Sequence, residues 1–64
     1  MIWTDVTDIA IALEEAHPGE DNVHLRFTDL HAWVMALPGF TGKADESNEK
    51  ILEAIQMAWI DERE

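Results

Sequence analysis

Ala44-Asp45-Glu46-Ser47-Asn48-Glu49-Lys50-Ile51-Leu52-Glu53-Ala54-Ile55-Gln56-Met57-Ala58-Trp59-Ile60-Asp61-Glu62 lies in the longest part of the chain without Pro or Gly. Ile51, Leu52, Ile55, Ala58 and Trp59 recur at helical spacing and make a one-sided apolar stripe. Ser47 is placed to cap the first turn, and Glu49 brings negative charge to the positive end of the helix dipole. The stretch therefore reads as a helix with a core-facing stripe and an acidic back. Glu46, Glu49 and Glu53 follow one another three and four residues apart, which puts them on one side of that helix.

Upstream, Leu30, Trp33, Val34 and Leu37 share a second helical face, with Thr28 as the expected cap and Pro38-Gly39 as the stop. Phe40 stands alone in the loop from Pro38 to Lys43 and is expected to fold back as a plug on the core. Before this helix, Val23, Leu25 and Phe27 alternate with His24 and Arg26, a short period-two pattern. That segment either pairs with Ile2-Trp3 or runs straight on into the helix. Pro18-Gly19-Glu20-Asp21-Asn22 reads as a turn. Val6, Ile9, Ala10, Leu13 and Ala16 form a further helical stripe, capped by Thr4 or Asp5, with Asp5 and Asp8 in its first turn. It should stop near Ala16 or His17, because Pro18 disfavours helical geometry in the residue before it. The expected fold is mainly α: a small, winged-helix-like single domain over residues 1–64, with three helices and at most short extended segments.

A chain of 64 residues makes one domain, and at this size only about 60% of the unfolded surface is buried. It has no cysteine, so neither a disulfide nor a thiolate-bound metal can staple it. Trp3, Trp33 and Trp59, with Phe27 and Phe40, are expected to supply much of the core. The net charge is −10, which repels a phosphate backbone, so nucleic acid is excluded as a partner. A basic protein surface or a divalent cation suits this charge better. No apolar run approaches a membrane span, and the N-terminus lacks the basic start of a signal peptide. The expectation is a cytoplasmic monomer with no membrane partner.

The chemistry-bearing residues point away from catalysis. No nucleophile motif is present, and a chain this small leaves little room for the cleft that would desolvate one of two paired carboxylates. His17 reads as a helix-terminal residue and His24 as solvated. His31 follows Asp29 by two residues, which does not place them on one helix face. No zinc-type histidine spacing occurs. The carboxylates are the stronger candidates. Asp5 with Asp8, and Glu46 with Glu49 and Glu53, are like charges at helical spacing, costing a few tenths of a kcal/mol per pair in an isolated helix. A cation or a basic partner would relieve that repulsion; a merely solvated face accounts equally well for any single residue. Oxygen-only ligation suits hard or borderline cations and discriminates little among Fe²⁺, Mn²⁺ and Ca²⁺.

Three blocks carry a family resemblance: Trp3-Thr4-Asp5; Arg26-Phe27-Thr28-Asp29-Leu30-His31-Ala32-Trp33; and Ser47-Asn48-Glu49-Lys50-Ile51-Leu52-Glu53-Ala54-Ile55, followed by Trp59 and Asp61-Glu62. In order and spacing they resemble the IscX family, small acidic accessory proteins of bacterial iron–sulfur cluster assembly, over almost the whole chain. The resemblance implies a modified winged-helix fold with an acidic surface, binding to the cysteine desulfurase IscS, and weak Fe²⁺ binding by surface carboxylates. Other cluster-assembly proteins are further possible partners. Asp5, Asp8, Asp29, Glu49 and Glu53 are the candidate metal ligands. Glu46, Glu49, Glu53, Asp61 and Glu62 are the candidate partner contacts, and Glu14 with Glu15 serve as a control pair away from them. The implied function is a non-enzymatic regulator of cluster assembly; the alternative is an iron donor. One departure from the family pattern is the loop Pro38-Gly39-Phe40-Thr41-Gly42-Lys43, which lacks the acids common there and carries a lysine.

Overall fold

The computed structural model describes residues 1–64. Three α-helices run Val6–Ala16 (α1), Phe27–Met35 (α2) and Glu49–Arg63 (α3), with one 3₁₀ turn at Ala44–Glu46 and no strand. This is the mainly α, three-helix fold expected. The helices enclose one core of Ile9, Ala10 and Leu13 from α1, Leu30 and Val34 from α2, and Leu52, Ile55 and Trp59 from α3. Trp3 and Leu37 complete it from outside the helices. The longest helix, α3, packs chiefly on α1. Trp59 is fully buried, whereas Trp33 is half-buried and meets it edge-on, with ring centroids 6.0 Å apart.

Two of the three helix starts differ from expectation: the cap of α3 moves by one residue, from Ser47 to Asn48, and that of α2 by two, from Thr28 to Arg26. α3 is capped by Asn48, whose side-chain oxygen accepts from the Ile51 N–H at 2.9 Å. Ser47 is not the cap; its hydroxyl is buried without a partner. α2 starts at Phe27, with Arg26 in the cap position and extended, so Thr28 already lies inside the first turn. No side chain caps that helix. Asp5 occupies the cap position of α1, but its carboxylate turns back to accept from the Ile2 N–H at 2.9 Å. α1 ends at Ala16, just before His17 and Pro18.

Residues 23–27 form no strand and do not pair with Ile2-Trp3; the segment instead runs straight on into α2, the other course expected of it. Asp21 Oδ1 accepts from the N–H groups of both Val23 and His24 at 2.9 Å. An Asx turn of this kind offers the backbone an alternative to a ladder. Val23 is consequently exposed, so the period-two pattern fails at its first residue, whereas Leu25 and Phe27 pack partly buried between exposed His24 and Arg26. The N-terminus instead pairs with the loop before α3. Its ammonium group donates to the Gly39 carbonyl at 2.8 Å, and the Thr41 N–H donates to the Met1 carbonyl at 2.8 Å.

That pairing lays Trp3 into the core, with its indole N–H donating to the Lys43 carbonyl at 2.6 Å. Phe40 does fold back as a plug, edge-on to Trp3 at 4.9 Å. Gly42 makes room for both: a Cβ there would lie 2.7 Å from the Phe40 ring and 2.9 Å from that of Trp3. α2 ends at Met35, before Pro38-Gly39, and Gly39 takes the left-handed conformation (φ 81°) that turns the chain toward Phe40.

Candidate functional site

Glu49, Glu53, Asp61 and Glu62 are all exposed on α3. Glu49 and Glu53 are one turn apart, and Asp61 lies two turns beyond Glu53, so the three follow one outer stripe. Glu62 follows Trp59 by three and Ala58 by four, so it belongs to the opposite flank. Glu46 is not on this helix. It lies in the 3₁₀ turn, where its carboxylate accepts from the Lys43 N–H at 2.9 Å and secures the approach to α3.

The remaining candidate ligands are spread over the other two helices. Asp5 is half-buried and held by the Ile2 amide, while Asp8 is exposed in the first turn of α1. Asp29 sits in the first turn of α2 and pairs with Arg26 at 3.5 Å. No three histidine, aspartate or glutamate side chains come together as a metal-binding group. The carboxylates offer oxygen donors of the right class for Fe²⁺, but only as separated groups or neighbouring pairs.

The histidines are engaged in packing and turns. His17 stacks on Trp33 at 4.9 Å, and His31 stacks on Trp3 at 5.0 Å with Nε2 2.8 Å from the Ala44 carbonyl. His24 is exposed, with Nδ1 3.2 Å from Asp21 Oδ2. Two shallow grooves flank the start of α3. One, of about 310 Å³, is lined by Phe27, Thr28, His31 and Leu52. The other, of about 300 Å³, is lined by Ile2, Trp3, Thr4, Glu46 and Ile51. Thr28 is the hydroxyl in the first groove, yet the imidazole beside it has committed Nε2 to a carbonyl. The second groove holds a single carboxylate, that of Glu46.

A family model described as iron–sulphur cluster assembly matches residues 1–64. The chain belongs to that family. It is the family of small IscX-type assembly proteins that the three sequence blocks resemble. The chain is also similar to an uncharacterised protein of Pseudomonas aeruginosa, 52% identical over 62 residues, covering 97% of this chain and 94% of that one.

In this family member one acid has a role that its sequence position does not disclose. Glu14 Oε1 accepts from the indole N–H of Trp59 at 2.9 Å and from Arg63 Nε at 2.8 Å. The hydrogen bond from Trp59, with the nearby Arg63 cation, holds the Glu14 carboxyl below the usual glutamate range despite partial desolvation. Arg63 also donates to the Glu20 and His17 carbonyls and lies over the Trp59 ring at 5.4 Å. One cluster thus ties the end of α3 to the end of α1 and the turn after it. Glu14 is therefore unsuitable as half of a neutral control pair with Glu15. The sequence shows Glu14 as one acid among fourteen, and its partner Arg63 lies 49 residues away. Asp21 is likewise lowered, by the amides of His24 and Val23.

Proposed function

We propose that this family member is a non-enzymatic accessory protein of iron–sulfur cluster assembly that docks its acidic face on the cysteine desulfurase IscS and binds Fe²⁺ weakly. The observation that carries the reading is the outer stripe of α3, in a chain whose whole length matches the family. Glu49, Glu53 and Asp61 stand exposed there, and none is paired with a cation of the chain. Paired charges would blunt a docking surface; unpaired ones attract a basic patch and steer its approach. Glu46, in the turn before α3, and Glu62, on its opposite flank, lie outside the stripe and would touch the partner only at its edge.

Fe²⁺ enters this reading as a regulatory ligand. Pairs such as Glu49 with Glu53, or Asp5 with Asp8, would share the ion with water, giving open sites of low affinity and low selectivity. Asp29 would first have to leave Arg26. An iron donor needs a site that holds the ion during transfer, and candidate acids on three separate helices favour the regulator. On this reading the protein works as a cytoplasmic monomer, possible further partners being other cluster-assembly proteins. No helix is long and apolar enough to cross a membrane.

The test is a titration of isotopically labelled protein with purified desulfurase, with and without Fe²⁺. The expected result is a set of shifted backbone amides centred on Glu49, Glu53 and Asp61. Iron and desulfurase should change each other's affinity by the same factor, as linkage requires. Shifts confined to α2, or none at all, would sink the reading.

A further inference from the structure

The most exposed large apolar side chain of the molecule sits within the acidic stripe of α3. Met57 is 61% exposed, and Val23 at 53% comes second. The segments carrying them are fastened together: the Gln56 side-chain amide donates to the Asn22 carbonyl at 3.1 Å and to the Val23 carbonyl at 3.0 Å. One residue, adjacent to Met57 in the chain, thus holds the turn of Val23 against the flank of α3.

The surroundings of these two apolar side chains are acidic. Glu53 precedes Met57 by one turn, Asp61 follows it by one turn, and Glu64 lies at the helix end. Asp21 closes the turn that presents Val23. Lys50, two turns before Met57, is the one cation on this side of the helix. An apolar centre within a charged rim is the arrangement of an energetic anchor inside a steering field. A second copy of the chain does not fit it, because that copy brings the same rim and another net charge of −10. Nucleic acid is repelled on the same grounds.

We propose that Met57, supported by Val23, is the apolar anchor of a docking surface whose occupant is a basic protein surface with an apolar hollow ringed by lysine or arginine. The choice of the desulfurase as that occupant rests on the function proposed above. The acids govern how quickly the partner arrives, and the buried methionine governs how slowly it leaves. Methionine suits the task, since its unbranched, polarizable side chain adapts to an irregular hollow.

The experiment compares full-length wild-type protein, Met57→Gln, Met57→Leu and Glu49→Lys with Glu53→Lys, each binding purified desulfurase at low salt and at about 0.5 M salt, where charges are strongly screened. Met57→Gln keeps the net charge and a comparable helix propensity, so its thermal melting should match wild type. It should weaken binding about tenfold at both salt levels, mainly through faster dissociation. Met57→Leu should stay within about twofold of wild type. The charge reversal should lose affinity mainly at low salt, through slower association. Wild-type affinity in Met57→Gln, or a loss that disappears at high salt, overturns the anchor. If the charge reversal still weakens binding in that case, acidic docking stands without it. No binding by the wild-type protein overturns both.

Discussion

Trp59 has no exposed surface, yet its indole N–H is satisfied, because Glu14 reaches across from α1 to accept it. Truncating this residue removes the largest fully buried side chain and leaves the Glu14–Arg63 pair without its third member. Trp59→Ala is expected to cost about 3–5 kcal/mol, the range for a buried large aromatic. Small domains hold roughly 5–15 kcal/mol in total, so the variant should be barely folded. Its urea midpoint measures this, and a midpoint equal to wild type would contradict the buried position. Glu14 itself predicts a pH effect. Its folded-state pKa is lowered, so the unfolded chain binds the proton more readily. The stabilisation is present above the ordinary glutamate range and is lost as pH falls through the lowered value. Glu14→Gln should therefore reduce stability at neutral pH and flatten its decline in acid, seen in urea midpoints from pH 7 down to about pH 3. The group is partly exposed and screened, so the effect should be modest.

At the scale of elements, the start of α3 separates two neighbouring polar residues with opposite consequences. Asn48 satisfies an orphan N–H of the first turn, and its replacement by alanine should cost about 1 kcal/mol. The Ser47 hydroxyl is buried without a partner, so Ser47→Ala should be neutral or slightly stabilising. Thermal melting of the two variants reads the difference, and the opposite order would show that Ser47 is the cap. The apolar spacing made α1 and α3 legible, since stripes of Ile9, Ala10 and Leu13 and of Leu52, Ile55 and Trp59 are indeed the buried faces. The segment 23–27 was legible only in part: it takes one of its two expected courses, running straight on into α2, and is not a strand. Its alternation matches a strand, but Asp21 satisfies the Val23 and His24 amides within a turn and leaves Val23 in water.

For the whole molecule, charge sets the terms of association. A net charge of −10 with three of the four bases outside the outer face of α3 leaves that face strongly negative. If the proposed docking on a basic desulfurase surface holds, association should slow as salt shortens the Debye length from about 10 Å at 0.1 M to about 3 Å at 1 M. Glu49→Lys with Glu53→Lys should weaken binding and leave the fold intact, because both residues are exposed. Glu15→Lys with Glu20→Lys is the control at equal net charge, as neither side chain joins an ion pair. Equal losses in the two variants would mean that net charge alone matters. No loss in either would remove acidic docking altogether.

The sequence by itself determined the helical class, the composition of most of the core, the acidic surface and the family. Each follows from composition, local periodicity or residue blocks that survive without knowledge of distant contacts. Only the tertiary structure decided which acids are free to meet a partner. Glu14 is drawn into a cluster with Trp59 and Arg63, Asp29 into a pair with Arg26, and Glu46 into its own turn. It also decided how Trp3, expected in the core but outside every helix, reaches it: the N-terminus pairs with the loop at 39–41. A carboxylate's partner, like an indole's burial, depends on which segments meet across the fold, and spacing along one helix carries no record of that.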